Sequence, residues 1–392
     1  MLTREVSQNY LNNALTSMHA ARRNCLFETS WALTNEAKLT VSSLGQNKRG
    51  SAHVKHKIKS VDRLVGNKKL HGEIPCIYEA FFKSLLLYTQ ELFILVDWSG
   101  CCGQESYMLR ASLIHTGRSI SIYNEIHVQK KLGNHSVHCR FLMALKKMIP
   151  ADKQVTIITD SGFLTPWFSE VLKLGWNYIG RLPGYLMIRQ SGKDWRKVSN
   201  MECKRKNSVR FLGEALLGKN SKTQVSGNIY SYHGKSKNRK EKSKFPEHNS
   251  RYQNQNKSPW VLATSLSEEK YSGIFIKNKY ANRMQIEQNF RDEKSPRFGF
   301  GWRLGRTKCL KRIAILCLLA HIAEFFLISI GTMAEQIELH KVFQVNTKKK
   351  RVLSLITLAK LLLKHEVPPN FHKKYQYSIS TFLSNLTKGA LC

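Results

Sequence analysis

The sequence predicts an α/β protein in which a mixed β-sheet is flanked by helices. Two short apolar runs, ELFILVDWSG and QVTIITDSGF, are typical of buried strands, and each leads into an aspartate. An amphipathic segment and a further apolar run follow the second one. Strands that alternate with helices in this way are typical of a mixed sheet covered by helices.

Residues 1–75 are expected to form a helical, basic N-terminal domain. LTVSSLGQN and HVKHKIKSVDRLVGN predict two short helices joined by a glycine-containing turn. In the second helix the apolar residues share one side, while Lys55, Lys59 and Arg63 recur at i, i+4 on another. This pattern resembles a helix-turn-helix recognition helix presented to DNA phosphates. A solvated face on a small helical bundle explains these residues equally well.

The first part of the core, residues 76–184, begins with a strand that leads into Asp97. In YMLRASLIHTGRSISIYNEIH, two β-rich segments flank a His-Thr-Gly-Arg turn and predict a hairpin. A helix through FLMALKKMI then leads to the strand before Asp160. TPWFSEVLKLGW predicts a helix capped by Thr165 with Pro166 in its first position, and NYIGRLPG predicts another strand.

Residues 185–258 predict a β-rich insertion with exposed loops, because KSKNRKEKSK and HNSRYQNQNKS are polar and lysine-rich. Regular structure returns at PWVLATSL, a predicted strand that carries Trp260 and opens the second part of the core, 259–334. The remaining residues, 335–392, contain the basic run KKKR and the segment VLSLITLAKLLLK. They predict a helical C-terminal tail.

Residues 313–331 are long and apolar enough to span a bilayer. His321 and Glu324 lie near the centre of this segment, where ionisable groups are unfavourable in a membrane, so we predict a buried core helix. The start, MLTREVSQNY, has no apolar stretch typical of a secretion signal. The nine cysteines include no Cys-x-x-Cys pair, which argues against a zinc ribbon or a disulfide framework. A reduced, cytoplasmic chain is expected.

The charge of the chain points to a polyanionic partner. It has 63 Lys and Arg against 27 Asp and Glu, for a formal net charge of +36. Such a surplus repels itself unless a polyanion binds, and nucleic acid is the leading candidate, with an anionic membrane surface second. A lysine excess that reflects genome composition alone is the remaining alternative, because lysines occur in nearly every segment.

The segment YANRMQIEQNFRDEK predicts a helix with an unusual polar stripe. At about 100° per residue, one narrow arc of this helix contains Tyr280, Arg283, Glu287, Arg291 and Lys294. These groups cannot form the buried side of an ordinary amphipathic helix, because buried charges need partners, so the stripe is expected to face a charged ligand. The helix is predicted to end at Lys294, since the next residue precedes a proline.

Asp97 and Asp160 are candidate metal ligands, because a buried strand holds its backbone rigidly while the carboxylate at its end reaches solvent. For either aspartate alone, a structural role is an equally good explanation. Adding Glu287 from a helix would give three carboxylates for two Mg²⁺ ions, about 3.5 to 4 Å apart, as used in phosphodiester chemistry. The cations beside Glu287 would then hold phosphates next to the metals.

These motifs resemble the DDE transposases of the bacterial insertion-sequence-four family, in particular the subgroup of insertion sequence ten, the module of transposon Tn-ten. The likeness rests on D-W-S around Asp97, T-D-S-G-F around Asp160, and Y-x2-R-x3-E-x6-K from Tyr280 to Lys294. KHKIK with DRLVGN, LRASLIHTGRSI, KLGW, PWVLAT and RMQIEQNFRDEKSP extend it over nearly the whole chain. One departure is Ser161, where relatives often have alanine.

The resemblance implies an RNase H-like fold with Asp97, Asp160 and Glu287 as the catalytic triad that binds two Mg²⁺ ions, for which Mn²⁺ can substitute. Trp260 would fill the space left by a flipped base. The tail after about residue 335 would pair two transposases. DNA contacts close to the cut end would come from the remaining stripe residues, which are Tyr280, Arg283, Arg291 and Lys294.

The implied activity is cut-and-paste transposition of a bacterial insertion sequence. A metal-activated water nicks one strand, the 3′-OH attacks the other strand to form a hairpin, a second water opens the hairpin, and the 3′-OH attacks target DNA. The implied partners are double-stranded DNA, as terminal inverted repeats and as target, and a second copy of the chain in a synaptic complex. No membrane partner is implied, and the expected location is the cytoplasm, at the nucleoid.

Two other functions remain open on the sequence. An RNase H-like, structure-selective endonuclease needs the carboxylates but neither the Tyr-Arg-Lys stripe nor Trp260. A non-catalytic DNA-binding protein derived from a transposase needs the basic surface alone, and the presence of all three carboxylates argues against it.

Overall fold

A computed structural model of the chain describes residues 2–86, 89–101, 105–201, 208–234, 259–365 and 371. The helices in this described part are α1 (Leu2–Ala14), α2 (Ala20–Thr34), α3 (Val41–Asn47), α4 (Val54–Val65), α5 (Lys68–Leu86), α6 (His135–Met148), α7 (Thr165–Lys173), α8 (Gly273–Ala281), α9 (Met284–Lys294), α10 (Leu310–Gln336) and α11 (Leu355–Lys364). The strands are β1 (Glu91–Gly100), β2 (Ser106–Leu113), β3 (Ile120–Val128), β4 (Gln154–Thr159), β5 (Asn177–Arg181), β6 (Met187–Arg189), β7 (Arg196–Lys197), β8 (Val209–Leu217), β9 (Val225–Tyr232) and β10 (Trp260–Thr264).

The strands of the described part form one mixed sheet in the order β3-β2-β1-β4-β5-β10-β9-β8-β6-β7. β1, β2 and β3 are antiparallel, whereas β4 runs parallel to β1 and β5 runs parallel to β4. The predicted hairpin, the strands before Asp97 and Asp160, and the strand of Trp260 are all present. The prediction of a mixed α/β fold is confirmed, and the sheet with its flanking helices is consistent with an RNase H-like architecture.

Strands β6 to β9 come from the predicted insertion, yet they continue the sheet of the core. β10 pairs antiparallel with β5 on one side and with β9 on the other, where Trp260 lies opposite Tyr232. The edge that β10 would otherwise expose is thereby satisfied by β9, and β8 and β6 extend the sheet further. The polar sequences KSKNRKEKSK and HNSRYQNQNKS lie outside the described residues.

The N-terminal region is helical, as predicted. α3 and α4 cross at Gly45, where an added Cβ would lie 2.5 Å from the Cα of Ile58, so only glycine permits this approach. Lys55, Lys59 and Arg63 are exposed on α4, while the opposite side of the helix is buried. The predicted boundaries after residues 75 and 334 fall inside α5 and α10, which run across them.

The long apolar helix α10 lies in the core, against α2, α5, α11 and β3. It is the one helix of the described part that is long and apolar enough to cross a membrane, and it is almost wholly buried inside the protein. At Gly331, an added Cβ would lie 2.3 Å from the carbonyl oxygen of Leu355, so the start of α11 packs directly on the α10 backbone. The prediction of a buried core helix is confirmed. Most of the tail beyond residue 365 lies outside the described residues.

The predicted cap of α7 is wrong. Leu164 is the N-cap residue, and no side chain caps the helix. Thr165 is instead the first helical residue and is buried, with Pro166 in the second position. An added Cβ on Gly218 would lie 2.9 Å from the Thr165 hydroxyl oxygen. Packing of Thr165 against the β8–β9 turn has therefore overridden its local capping preference.

The predicted single helix over 280–294 is also wrong, although it ends at Lys294 as predicted. α8 ends at Ala281 and α9 begins at Met284. At the junction the Arg283 N–H donates to the carbonyl of Tyr280, a pairing one residue tighter than in an α-helix. This tight turn breaks the stripe, so that Tyr280 is only 3% exposed and belongs to the core.

Candidate active site

The two aspartates lie on adjacent inner strands of the sheet, Asp97 within β1 and Asp160 directly after the end of β4. β1 and β4 are paired with Val96 opposite Thr159, so Asp97 and Asp160 are the next residues on adjacent parallel strands. Such strands lie about 4.8 Å apart. The backbone N–H of Trp98 donates to Asp97 Oδ1 at 2.8 Å, and that of Gly162 donates to Asp160 Oδ1 at 2.8 Å. Backbone donors therefore orient both carboxyl groups.

Glu287, in the first turn of α9, completes a set of three carboxyl groups around one pocket. The pocket has a volume of about 560 Å³. The side chain of Glu287 is 36% exposed and that of Asp97 is 13% exposed, so water reaches the group. The other lining residues are Trp98, Ser99, Arg283, Phe290, Arg291, Lys294, Ser295, Pro296 and Arg303.

Arg283 lies between two of the carboxyl groups. Its Nη2 forms an ion pair with Glu287 Oε1 at 2.6 Å, and its Nη1 lies 3.5 Å from Asp97 Oδ2. Burial lowers the pKa of Arg283, but Tyr280 and the surrounding carboxyl groups raise it by more, so the pKa is above its ordinary value and the guanidinium stays charged. A single guanidinium thus serves a group of three acids.

The pKa of Asp97 is raised to about 7, first by burial and then by the negative charge of Asp160, while Arg283 opposes the rise. These carboxyl groups repel one another, and Arg283 offsets that repulsion only in part. Carboxylate oxygens are the ligands that Mg²⁺ prefers, and a divalent ion would offset the remainder. Asp97, Asp160 and Glu287 therefore fit a divalent metal site.

Further cations surround the pocket. Lys294 Nζ donates to Ser99 Oγ at 2.6 Å, and burial, together with the charge of Arg303, lowers the pKa of Lys294. Arg291 and Arg303 are exposed at the same pocket. Guanidinium and ammonium groups in this arrangement can bind phosphate oxygens beside the carboxyl groups. Ser99 was missed from the sequence, although its i+2 spacing from Asp97 puts both on one face of β1.

Two predicted site residues, Trp260 and Tyr280, do not line the pocket but pack against each other beside it. Their rings are 5.0 Å apart between centroids and meet edge to face, at 74°. The Tyr280 ring in turn lies 6.0 Å from the guanidinium carbon of Arg283. Trp260 is partly buried and also contacts Tyr232, with 5.6 Å between centroids. Trp260 is therefore linked to the carboxyl cluster through Tyr280 and Arg283.

The other side of α9 is fixed to the core by a buried ion pair that the sequence did not indicate. Arg110 Nη2 donates to Glu293 Oε1 at 2.6 Å, and the two side chains are 0% and 1% exposed. Arg110 Nε also donates to Asn124 Oδ1 at 2.7 Å. Arg110 and Asn124 lie on β2 and β3, so the hairpin holds the helix that presents Glu287.

The turn between β2 and β3 makes further contacts with α9. Arg118 Nε donates to Asp292 Oδ2 at 2.7 Å, and Asn289 Nδ2 donates to the Ser119 carbonyl at 2.6 Å. The turn backbone also donates to Gln285, from the N–H of His115 at 3.0 Å. Because these bonds span the length of α9, they set both its position and its rotation.

Helix α6 contacts the part of β1 that contains Asp97. The indole N–H of Trp98 donates to His138 Nε2 at 3.0 Å. Burial, and to a smaller extent the charges of His135 and His127, lower the pKa of His138 to about 4. His138 is therefore neutral near pH 7 and can accept this hydrogen bond.

The predicted DNA-binding residues of α4, which are Lys55, Lys59 and Arg63, do not line the pocket. Their role in binding stays a prediction.

Residues 97–323, more than half of the chain, match the family model described as "Transposase DDE domain". A search of curated proteins finds no match to the chain. The family match begins at Asp97 and contains Asp160 and Glu287.

Proposed function

The chain belongs to the transposase DDE domain family, and from that premise we propose that it moves a bacterial insertion sequence by cut-and-paste transposition. One observation carries the proposal. Asp97 and Asp160 from adjacent parallel strands and Glu287 from α9 surround a single water-accessible pocket. The likeness of the motifs at these positions supports the insertion-sequence-four family and the subgroup of insertion sequence ten.

We propose that these three carboxylates hold two Mg²⁺ ions, which Mn²⁺ can replace. When bound, such a pair activates the attacking oxygen and stabilises the leaving oxygen of a phosphodiester. The backbone bonds to Asp97 and Asp160 hold the carboxyl oxygens in place for this purpose. Since all proposed steps are hydrolyses or transesterifications at phosphorus, one site can serve each of them.

Arg283 takes a different part before and after the carboxylates gain divalent cations. Without them it pairs with Glu287 and Asp97. Once that charge is supplied from elsewhere, the guanidinium is free to bind a DNA phosphate bidentately. Arg291 and Lys294, on the same side of α9, would hold neighbouring phosphates against the carboxylates.

The hairpin step requires sharply bent DNA, in which a base near the end leaves the stack. Trp260 has the area and the π-face to fill the vacated position. Its contact with Tyr280, and the contact of Tyr280 with Arg283, support a role next to the reacting phosphates. We propose that these residues clamp the distorted end while the 3′-OH attacks the opposite strand.

The proposed partners are double-stranded DNA and a second copy of the chain. The net charge of +36 supports binding of transposon ends and of target DNA. The exposed Lys55, Lys59 and Arg63 of α4 would contact the terminal repeat. The tail after residue 335 would contribute to pairing in a synaptic complex, and the cytoplasmic nucleoid is the expected location.

The proposal is tested with the purified full-length chain, labelled DNA carrying the ends of its own element, and Mg²⁺. A nick followed by a hairpin on the transposon end is the expected result. Nicks without hairpins or strand transfer would indicate a nuclease instead. Binding without any cleavage, in Mg²⁺ and in Mn²⁺, would indicate a non-catalytic DNA-binding protein. Either outcome would overturn the proposal.

A further inference from the structure

A second group of metal-ligand side chains lies outside the pocket, on helices α6 and α7. His135 and Cys139 are spaced i, i+4 and therefore share one face of α6, and Glu170 comes from α7. One donor atom from each residue lies within 4.8 Å of the others. His135 is exposed, and the other two are half-buried, so a dissolved ion can reach all three.

The distances from His135 to the other two donors can be compared with those around a tetrahedral zinc ion. With typical Zn–N, Zn–S and Zn–O bond lengths, the nitrogen and sulfur ligands lie about 3.6 Å apart, and the nitrogen and oxygen ligands about 3.4 Å apart. In this protein His135 Nε2 is 3.5 Å from Cys139 Sγ and 4.0 Å from Glu170 Oε1. The first distance already fits, and the second needs a shift of a few tenths of an ångström by exposed side chains.

We propose that His135, Cys139 and Glu170 bind Zn²⁺ as a clamp between α6 and α7, with water as the fourth ligand. A set of one nitrogen, one sulfur and one oxygen donor favours zinc over Mg²⁺, which prefers oxygen ligands throughout. Binding would transfer the thiol proton of Cys139 to solvent, so that the sulfur binds as thiolate. The site is separate from the carboxylates that line the pocket.

Lys173 is the built-in competitor of this clamp. Its Nζ lies 2.7 Å from Glu170 Oε1 in an i, i+3 pair on α7. The Lys173 side chain is 62% exposed, so its ammonium can turn into water when an ion takes the carboxylate. Removal of Lys173 should therefore strengthen zinc binding, because it frees the Glu170 carboxylate and removes a nearby positive charge.

The clamp would join the two helices next to the strand ends of the pocket. α7 begins five residues after Asp160, and α6 carries His138, which accepts the hydrogen bond from the residue after Asp97. An ion that binds only the folded arrangement of α6 and α7 stabilises that arrangement by mass action. We therefore expect zinc to raise the melting temperature of the whole chain.

Cobalt titration of the chelator-stripped, full-length protein is the direct test, because Co²⁺ bound to a thiolate gives a near-ultraviolet charge-transfer band that carboxylate sites cannot give. We expect the band in the wild type, its loss in Cys139→Ser, and Zn²⁺ affinity at least about 10-fold weaker in His135→Ala and Glu170→Gln. Lys173→Gln should bind Zn²⁺ more tightly. Cys76→Ser, which removes an exposed cysteine elsewhere, is the matched control.

Three results would overturn the clamp. These are the absence of a thiolate band in the wild type, survival of the band in Cys139→Ser, and a Zn²⁺-induced rise in the melting temperature of Cys139→Ser equal to that of the wild type. The circular dichroism spectrum of each apo variant shows whether it is folded. His135→Ala is a second, surface variant that keeps the test decisive if Cys139→Ser is unstable.

Discussion

The two sides of helix α9 carry similar chemical groups in opposite electrostatic states. On the pocket side, three carboxyl groups surround one contacting guanidinium, that of Arg283, and remain open to water. On the core side, Glu293 is matched by Arg110, and both are sealed from solvent. On the first side only one cation of the described residues, Arg283, forms an ion pair with the three carboxyl groups, whereas on the second side each charge of the buried pair has its counterion.

The core side also contains a further carboxyl group, that of Glu324, with which no cation of the described residues is paired. Burial and the charge of Glu293 raise the pKa of Glu324 well above its ordinary value, which favours the neutral form of this carboxyl group. The pocket side instead keeps Asp97 near its titration point, with a pKa of about 7, and within reach of water. A cluster of acids thus indicates a metal site when its charge is uncompensated and accessible.

The largest expected effect comes from the pocket side. Asp97→Ala, Asp160→Ala and Glu287→Ala should each slow nicking by at least about 10²-fold, as expected when transition-state charge loses its stabilisation. Binding of transposon ends should persist or tighten, because negative charge near phosphate is removed. Cleavage gels and binding titrations on the same preparations measure both. Glu36→Ala, at an exposed carboxylate, is the control, and near-normal cleavage would remove a residue from the triad.

On the core side, substitution should affect stability rather than chemistry. Arg110→Met leaves Glu293 buried without its cation and should lower the free energy of unfolding by about 3 to 5 kcal/mol. Adding Glu293→Met should restore most of that loss, since two packed apolar side chains replace the pair. Urea denaturation measures both variants. Equal instability of the single and double variants would mean that packing, and not charge, dominates this side.

Substitution of Trp260 should separate the nicking step from the hairpin step. Trp260→Ala is expected to nick the first strand but to accumulate nicked ends without hairpins, and Arg283→Ala should share this block. Loss of one stacking contact, worth about 1 to 3 kcal/mol, would slow the hairpin step by roughly 5- to 150-fold. Trp260→Phe should retain part of the activity. If Trp260→Ala gives a normal yield of hairpins, or if its melting temperature collapses, the proposed role of Trp260 in holding the distorted DNA end is wrong.

The repulsion among the carboxyl groups of the pocket should also make the free energy of unfolding depend on pH. The pKa of Asp97 is raised from 3.8 to about 7, so between these values the folded chain holds a proton that the unfolded chain has lost. Stability therefore falls as pH rises through this window. In chelator, Asp97→Asn should be more stable than the wild type at pH 8 by more than about 1 kcal/mol.

That gain should shrink as the pH falls through this window and disappear below 3.8, where the carboxyl group becomes protonated in both states. Mg²⁺ should also reduce it, by stabilising the wild type. Urea denaturation at two pH values, with and without Mg²⁺, makes the comparison. If Asp97→Asn is no more stable than the wild type at pH 8, then burial and repulsion by Asp160 do not destabilise the ionised Asp97 carboxylate.

The smallest expected effect belongs to a basic surface on neither side of α9. Joint replacement of Lys55, Lys59 and Arg63 with alanine should weaken end binding and flatten its salt dependence, by about one in slope for each lost phosphate contact. Cleavage of DNA already bound should be unchanged. Replacing Lys219 and Lys222, which are exposed between β8 and β9, is the control. Unchanged binding would indicate that these three residues only form a solvent-exposed face of the helical bundle.

Elements with strong local signals were predictable from the sequence. The buried strands before Asp97 and Asp160, the hairpin between them, and the buried helix α10 follow from apolar runs and turn residues. The end of α9 at Lys294 follows from Pro296, which restricts the residue before it. The two aspartates could be chosen for the same reason, because each follows a buried apolar run. Asp160 comes directly after β4, as predicted, but the prediction that the first strand ends at Asp97 is wrong, because β1 continues to Gly100 in its pairing with β2.

The contacts between distant segments were not predictable. Arg283 and Asp97 are 186 residues apart, and Arg110 and Glu293 are 183 residues apart, so no local pattern contains either pair. The break after Ala281 has no proline or glycine to mark it. The strands of the insertion gave a β signal, but their place in the sheet depends on the free edge of β10.

The parallel register of β1 and β4 has a consequence for how this gene can change. Side chains alternate between the two faces of a strand, so gain or loss of one residue within β1 would turn Asp97 to the opposite face from Asp160. Substitutions along the strand leave that phase intact, whereas a single-codon insertion or deletion destroys it. The buried segment from Leu92 to Val96 should thus accept exchanges among apolar residues but keep a fixed length.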